Sequence, residues 1–168
     1  MDYFLILVAA LFRIVPHLPN VTPVAAIALF GGAYLSRRFA LLYPLCIMGL
    51  SDLILNPLLG VPLMLPESLF VYVSFLITGL LGLLCRSRRR LGTLYLVSIV
   101  SSIQFFILTN FGTWFVSGMY SKDITGLLYC YTVAIPFFRN TLVGDLFWFS
   151  LLVGAYQLGR RLIPLRSA

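Results

Sequence analysis

The sequence predicts an all-α integral membrane protein, with six transmembrane helices in one bundle and both termini cytoplasmic. Residues 1–168 form a single transmembrane domain. Three observations predict it. The chain is 61% hydrophobic and only 10% charged, with a mean hydropathy of +1.01. A soluble domain carries about a quarter charged residues, so this composition cannot cover a water-facing surface. The apolar runs are long and do not alternate. Backbone in lipid must satisfy its own hydrogen bonds, so such runs are helices rather than strands. Finally, the arginines fall into clusters that a six-span reading places on one side.

The spans are read in chain order. The first run, 3–15, is short and ends at Pro16. Only Asp2 precedes it as a charge, and no small-residue cleavage site follows, so it reads as a span rather than a signal peptide. Its crossing is complete only if the bilayer thins or the next loop dips inward. The second run, 22–36, is stopped by Arg37 and Arg38, and the third covers 39–59. The fourth, 68–85, opens on the helix-start pair Pro66 and Glu67. The fifth is 91–114. The sixth is 139–158, preceded by an apolar stretch, 126–138, that contains Pro136. That stretch is too short to cross alone, since a span needs about 20 residues. It is expected to be a broken or re-entrant preface.

Arg37 and Arg38, then Arg86, Arg88, Arg89 and Arg90, then Arg160, Arg161 and Arg166 all fall on one face of a six-span chain. The positive-inside rule makes that face cytoplasmic. The net charge of +7 is thus mostly a topology signal, and its partner is the lipid bilayer. Nothing points to nucleic acid. Cys46, Cys85 and Cys130 are isolated and read as small apolar fillers, not as a disulfide framework or a metal site. No cofactor is expected.

The outer-side segments carry the polar residues. The stretch RIVPHLPNVTP places Arg13, His17, Asn20 and Thr22 on a loop that Pro16, Pro19 and Pro23 keep from being helical. Such backbone at membrane depth lines a cavity or is buried in protein. Arg13 offers a planar fork for a carboxylate or phosphate, or else it snorkels to headgroups while His17 caps a neighbour. Asp52 and Asn56 share a helix face, and Asp52 either lines a site or pairs with Arg13 or Arg139. Asn110 and Trp114 end the fifth span, Trp114 also fitting an interfacial anchor. Arg139, Asn140 and Asp145 open the sixth, with Gly144 allowing close approach and Tyr131 just before them. A charge within an apolar span costs at least a few kcal/mol, so these residues are candidates for function. The candidate ligand-binding set is Arg13, His17, Asn20, Asp52, Asn110, Trp114, Tyr131, Arg139, Asn140 and Asp145.

No HExxH, GxSxG, Walker or paired-carboxylate pattern appears, so no catalytic residue is named and an enzyme is not expected. Ala28, Gly32 and Ser36 recur every fourth residue and form a small-residue stripe. It is a candidate partner interface, or else it packs within the bundle.

The stretches RIVPHLPNVTPVAAIALFGG, TNFGTW, GLLYCYTVAIPFFRN and GD resemble an uncharacterised family of small bacterial multi-pass membrane proteins. The resemblance covers most of the chain, including Arg13, Pro16, His17, Pro19, Asn20, Asp52, Asn110, Trp114, Tyr131, Pro136, Asn140, Gly144 and Asp145. It implies the bacterial cytoplasmic (inner) membrane. In size and topology the chain also resembles the substrate-binding S components of energy-coupling factor transporters. That likeness implies capture of a small vitamin-like solute near the outer surface, with a transmembrane T component and ATPase subunits as partners. In those proteins the small-residue docking motif lies on the first helix, whereas here the stripe is on the second. The expected function is therefore solute binding, for an anionic, ring-bearing molecule held by the arginines and aromatics. The alternatives are a non-catalytic structural or assembly protein braced by its polar cluster and, less favoured, a small lipid-modifying enzyme.

Overall fold

Apolar sequence in lipid has to close its backbone hydrogen bonds locally, and every element found does so as a helix. The computed structural model describes residues 11–12, 18, 20–35, 41–62, 65–87 and 89–162. They form α1 (Val24–Tyr34), α2 (Leu42–Leu58), α3 (Ser68–Leu84), α4 (Leu91–Val116) and α5 (Ile124–Leu162). A 3-10 turn, Cys85–Ser87, ends α3. No strand occurs among the described residues. Three helical segments are long and apolar enough to cross a membrane: Ser68–Ser87, Leu91–Val116 and Ile124–Arg161. Leu50, Leu53, Leu69, Leu80, Leu96, Val143 and Phe147 are exposed along the outside of the bundle. Such an apolar surface suits lipid rather than water.

The second apolar run is not a full helical crossing. Its helix, α1, has 11 residues, about 16 Å long, against a hydrocarbon core of about 30 Å. All residues from Val24 to Ala33 are buried. Pro23 stands at the N-cap, and proline keeps Thr22 before it out of the α region. Asn20, with φ at +64°, turns the chain just upstream. At the other end Leu35 is extended, and the Arg86 guanidinium donates to its carbonyl. The run therefore supplies a short core helix, packed most extensively on α3 and then on α5 and α2.

The contact between α1 and α3 is backbone on backbone. A Cβ on Gly32 would lie 2.3 Å from the Gly79 carbonyl oxygen, and one on Gly82 would lie 2.4 Å from that of Leu29. Real Cβ atoms do not come so close. This corrects the partner-interface reading of the stripe: Ala28 and Gly32 are buried within the chain's own bundle. Ser36 lies outside the described residues.

The stretch 126–138 is continuous with the sixth span, which corrects the expectation of a broken or re-entrant preface. Helix α5 runs 39 residues, about 58 Å, with Pro136 inside it. Proline removes one donor and crowds the preceding turn. Contacts with the antiparallel α4 hold the helix on both sides of that defect. Before it, the Tyr131 hydroxyl donates to the Ile107 carbonyl at 2.7 Å. After it, Ser102 donates to Asp145 at 2.7 Å, and the hydroxyls of Tyr95 and Ser150 are 2.9 Å apart. Asp123 caps the start, its Oδ1 accepting the Gly126 N–H at 2.7 Å. At the other end of the bundle Arg89 lies 5.2 Å over the Tyr34 ring and Arg160 lies 5.8 Å over that of Tyr156, and these two rings are 4.8 Å apart. Two arginine clusters distant in sequence thus share one end.

Gly82→Val should cost about 3 kcal/mol or more, because the neighbouring atoms are main chain and cannot rotate away. Gly92→Ala, with open space around it, should leave thermal melting in detergent essentially unchanged. Equal melting of the two variants would refute the tight crossing. Asp123 supplies a second test. The Gly126 N–H, then the Ser121 hydroxyl, hold its carboxyl below the usual carboxylate range. A lowered folded value means the cap contributes fully above the ordinary carboxylate pKa and is lost as pH falls through the lowered one. The melting difference between wild type and Asp123→Ala should be largest near neutral pH and shrink under acid.

Candidate functional site

Because α1 is short, it fills only part of the space between α3, α4 and α5. Beyond its N-terminal end lies a cavity of about 350 Å³. Asn20 and Thr22, from the turn before α1, form one edge with Ala25, and Met48 of α2 adds to it. Val71 and Phe75 come from α3. Helix α4 contributes Phe105, Phe106, Thr109, Asn110 and Thr113, and α5 contributes Ala134, Phe137, Phe138, Thr141 and Asp145. Helical spacing accounts for both sets: 105, 109 and 113 are four apart, as are 134, 138 and 141/145 within a residue. Two tilted ring pairs contribute to the lining, Phe75 with Phe105 at 5.1 Å and Phe106 with Phe138 at 4.8 Å.

The polar atoms on these walls are mostly spent donors. Thr109 donates its hydroxyl to the Phe105 carbonyl at 2.8 Å, Thr113 to that of Thr109 at 3.1 Å, and Thr141 to that of Phe137 at 3.0 Å. The Asn110 amide donates to the Phe106 carbonyl at 2.7 Å. Each helix thereby satisfies its own side-chain protons where no water competes. What the hydroxyls still present is lone pairs.

Asp145 is the acidic member, only 3% exposed. Its Oδ2 accepts the Ser102 hydroxyl at 2.7 Å, and Ser102 is itself fully buried. A cation stands beside Asp145 in no salt bridge among the described residues, and no Arg or Lys of those residues lines the cavity. No group of three His, Cys, Asp or Glu side chains able to hold a metal occurs among the described residues.

Of the candidate ligand-binding residues, Asn20, Asn110 and Asp145 line this cavity together. Asp52 lies on α2 and accepts the Tyr72 hydroxyl at 2.9 Å. The Trp114 indole donates to the Ser121 carbonyl at 2.8 Å, with Lys122 5.7 Å over its ring, so it holds the α4–α5 loop. Tyr131 is committed to the Ile107 carbonyl and packs on Phe106. Arg139 is exposed and outside the lining, and Asn140, half-buried, is outside it too. Arg13 and His17 lie outside the described residues. Thr22 is named from the sequence with Asn20, whereas Thr113, Thr141 and the phenylalanines of the lining are not singled out from it. Their signal is the i, i+4 recurrence of Thr with Phe on α4, which simple hydropathy averages away. Gly144, expected to allow close approach, receives Val21, whose Cα would lie 3.0 Å from a Cβ there.

The chain belongs to a family of unknown function, DUF6580, whose model matches residues 2–165. This bears out the resemblance to an uncharacterised family. No curated protein and no solved structure matches the chain. Family membership assigns no activity, so function is argued from the cavity.

Ser102→Ala removes the one hydroxyl among the described residues that reaches Asp145 and should destabilise the protein by about 1–3 kcal/mol. Thr109→Val, which loses only a bond back to its own helix, should cost less than about 1 kcal/mol. Denaturant titrations monitored by tryptophan fluorescence would compare the two, and equal costs would show that the Ser102 bond carries no special weight.

Proposed function

We propose that this protein is a membrane-embedded solute-binding protein, non-enzymatic, of the S-component type, which captures a small ring-bearing molecule in the outer half of its bundle. The cavity carries this reading: about 350 Å³, mostly apolar and aromatic, with a few polar groups directed into it. Ligand sites have that makeup. Six membrane-embedded segments, with both termini on the cytoplasmic side of a bacterial inner membrane, fit the shared end of the arginine clusters. The chain has no nucleotide-binding sequence, so uptake would draw energy from a T component with ATPase subunits. No docking surface is assigned to them, since Ala28 and Gly32 are internal. The expected carboxylate on the solute rested on Arg13 and Arg139. Arg139 is outside the lining, and no Arg or Lys among the described residues lines the cavity to receive such a group.

One second reading has an observation in its favour. The Ser102–Asp145 and Tyr72–Asp52 bonds also suit an internal brace in a structural or assembly protein.

Thr109→Phe separates the two readings by filling the cavity from a half-buried position on its wall. Under the binding reading, mass spectrometry should find a small molecule co-purifying with wild type and depleted about tenfold or more in the variant, a loss of the size expected from blocking one pocket. Under the brace reading no solute is found in either, and filling the void raises the melting temperature.

A further inference from the structure

We infer that the solute is an organic cation, an amine or protonated nitrogen ring, whose N–H is received by Asp145. This rests on the solute-binding reading and adds the sign and polarity of the ligand. The first support is the state of the donors. The hydroxyl protons of Thr109, Thr113 and Thr141 and one amide proton of Asn110 are already given to main-chain carbonyls of their own helices. The walls these residues form therefore offer mainly acceptors, which suit a molecule that brings donors.

The second support is Asp145. It is almost fully buried, lines the cavity, and one of its oxygens takes the Ser102 hydroxyl. No other side chain among the described residues is bonded to it. A carboxylate in an apolar span is costly to keep without a counter-charge, and a cationic ligand supplies one. A carboxylate-bearing solute would instead bring a second negative charge beside it. The third support is the aromatic lining, Phe75 with Phe105 and Phe106 with Phe138, since phenyl rings pack against a ring-bearing solute and attract a cation. Carboxylate, unspent lone pairs and phenyl faces together make an amine-recognising site.

Three probes of one shape test this on the full-length protein in nanodiscs: benzylamine, benzyl alcohol and benzoate, followed by saturation-transfer NMR with empty nanodiscs subtracted. Benzylammonium should bind saturably and about tenfold or more tighter than benzyl alcohol, with benzoate weakest, a ratio in the range of one charge-assisted hydrogen bond. Asp145→Asn should erase the preference for the amine over the alcohol. Benzoate binding as tightly as benzylamine, or a preference that survives Asp145→Asn, would overturn the inference. Equal binding of amine and alcohol overturns it while the solute-binding reading stands. If none of the three binds, both fall. Should Asp145→Asn fail to fold, the order of the three probes on wild type decides by itself.

Discussion

The contact of α1 with α3 at Gly32, Gly79 and Gly82 is the constraint on which the rest of the bundle depends. Lipid gives no hydrophobic reward for pairing one apolar helix with another, so association rests on close packing. Here two main chains touch, and no residue larger than glycine fits at Gly32 or Gly82 without moving backbone. That contact fixes α1 in the end of the bundle that holds the arginines. Phe30, Tyr34 and Tyr156 stack there, with Arg89 and Arg160 over the tyrosines. Since α1 is held at that end and is short, the other end lacks a central helix, and the cavity follows.

Polar groups in this fold obey one rule. Hydroxyls and amides on the helices return their protons to the nearest carbonyl, as Ser51, Ser74, Thr78, Thr109 and Thr141 all do. This limits the number of unpaired donors in a dry interior. It leaves exceptions that stand out for the same reason. Asp145 cannot satisfy itself along its own helix and draws on Ser102 of α4. The Gln104 amide, the Ser101 hydroxyl and the Trp148 indole N–H are buried with no hydrogen-bond partner among the described residues. The candidate site sits where the rule supplies acceptors and one residue supplies charge.

Much of the helical plan is legible in the sequence because run length in lipid is set by the bilayer. The runs 68–85 and 91–114 differ from α3 and α4 by only a residue or two at their ends. The run 22–36 misled because Pro23 sets the helix start and Leu35 is extended, which leaves 11 helical residues, too few to cross. Pro136 misled in the opposite direction: local propensity argues for a break, and the ladder of contacts with α4 overrides it. For the site, the sequence reports depth better than direction. Asn20, Asn110 and Asp145 share the cavity, yet Arg139, only six residues from Asp145, is on an exposed face. A small-residue stripe likewise announces a close neighbour without saying which one, and for Ala28 and Gly32 that neighbour is the chain itself.

The glycine contact also decides how anything could leave the cavity towards the arginine-bearing end. A gate made of an exposed side chain opens by a rotamer change within nanoseconds. At the crossing of Gly32 with Gly79 and Gly82 there is no such latch, only main chain against main chain. An inward path beside that contact would require two whole helices to slide or tilt apart as rigid bodies. Passage would then be slow, all-or-none and sensitive to lateral pressure in the bilayer, more like parting a zip than turning a tap.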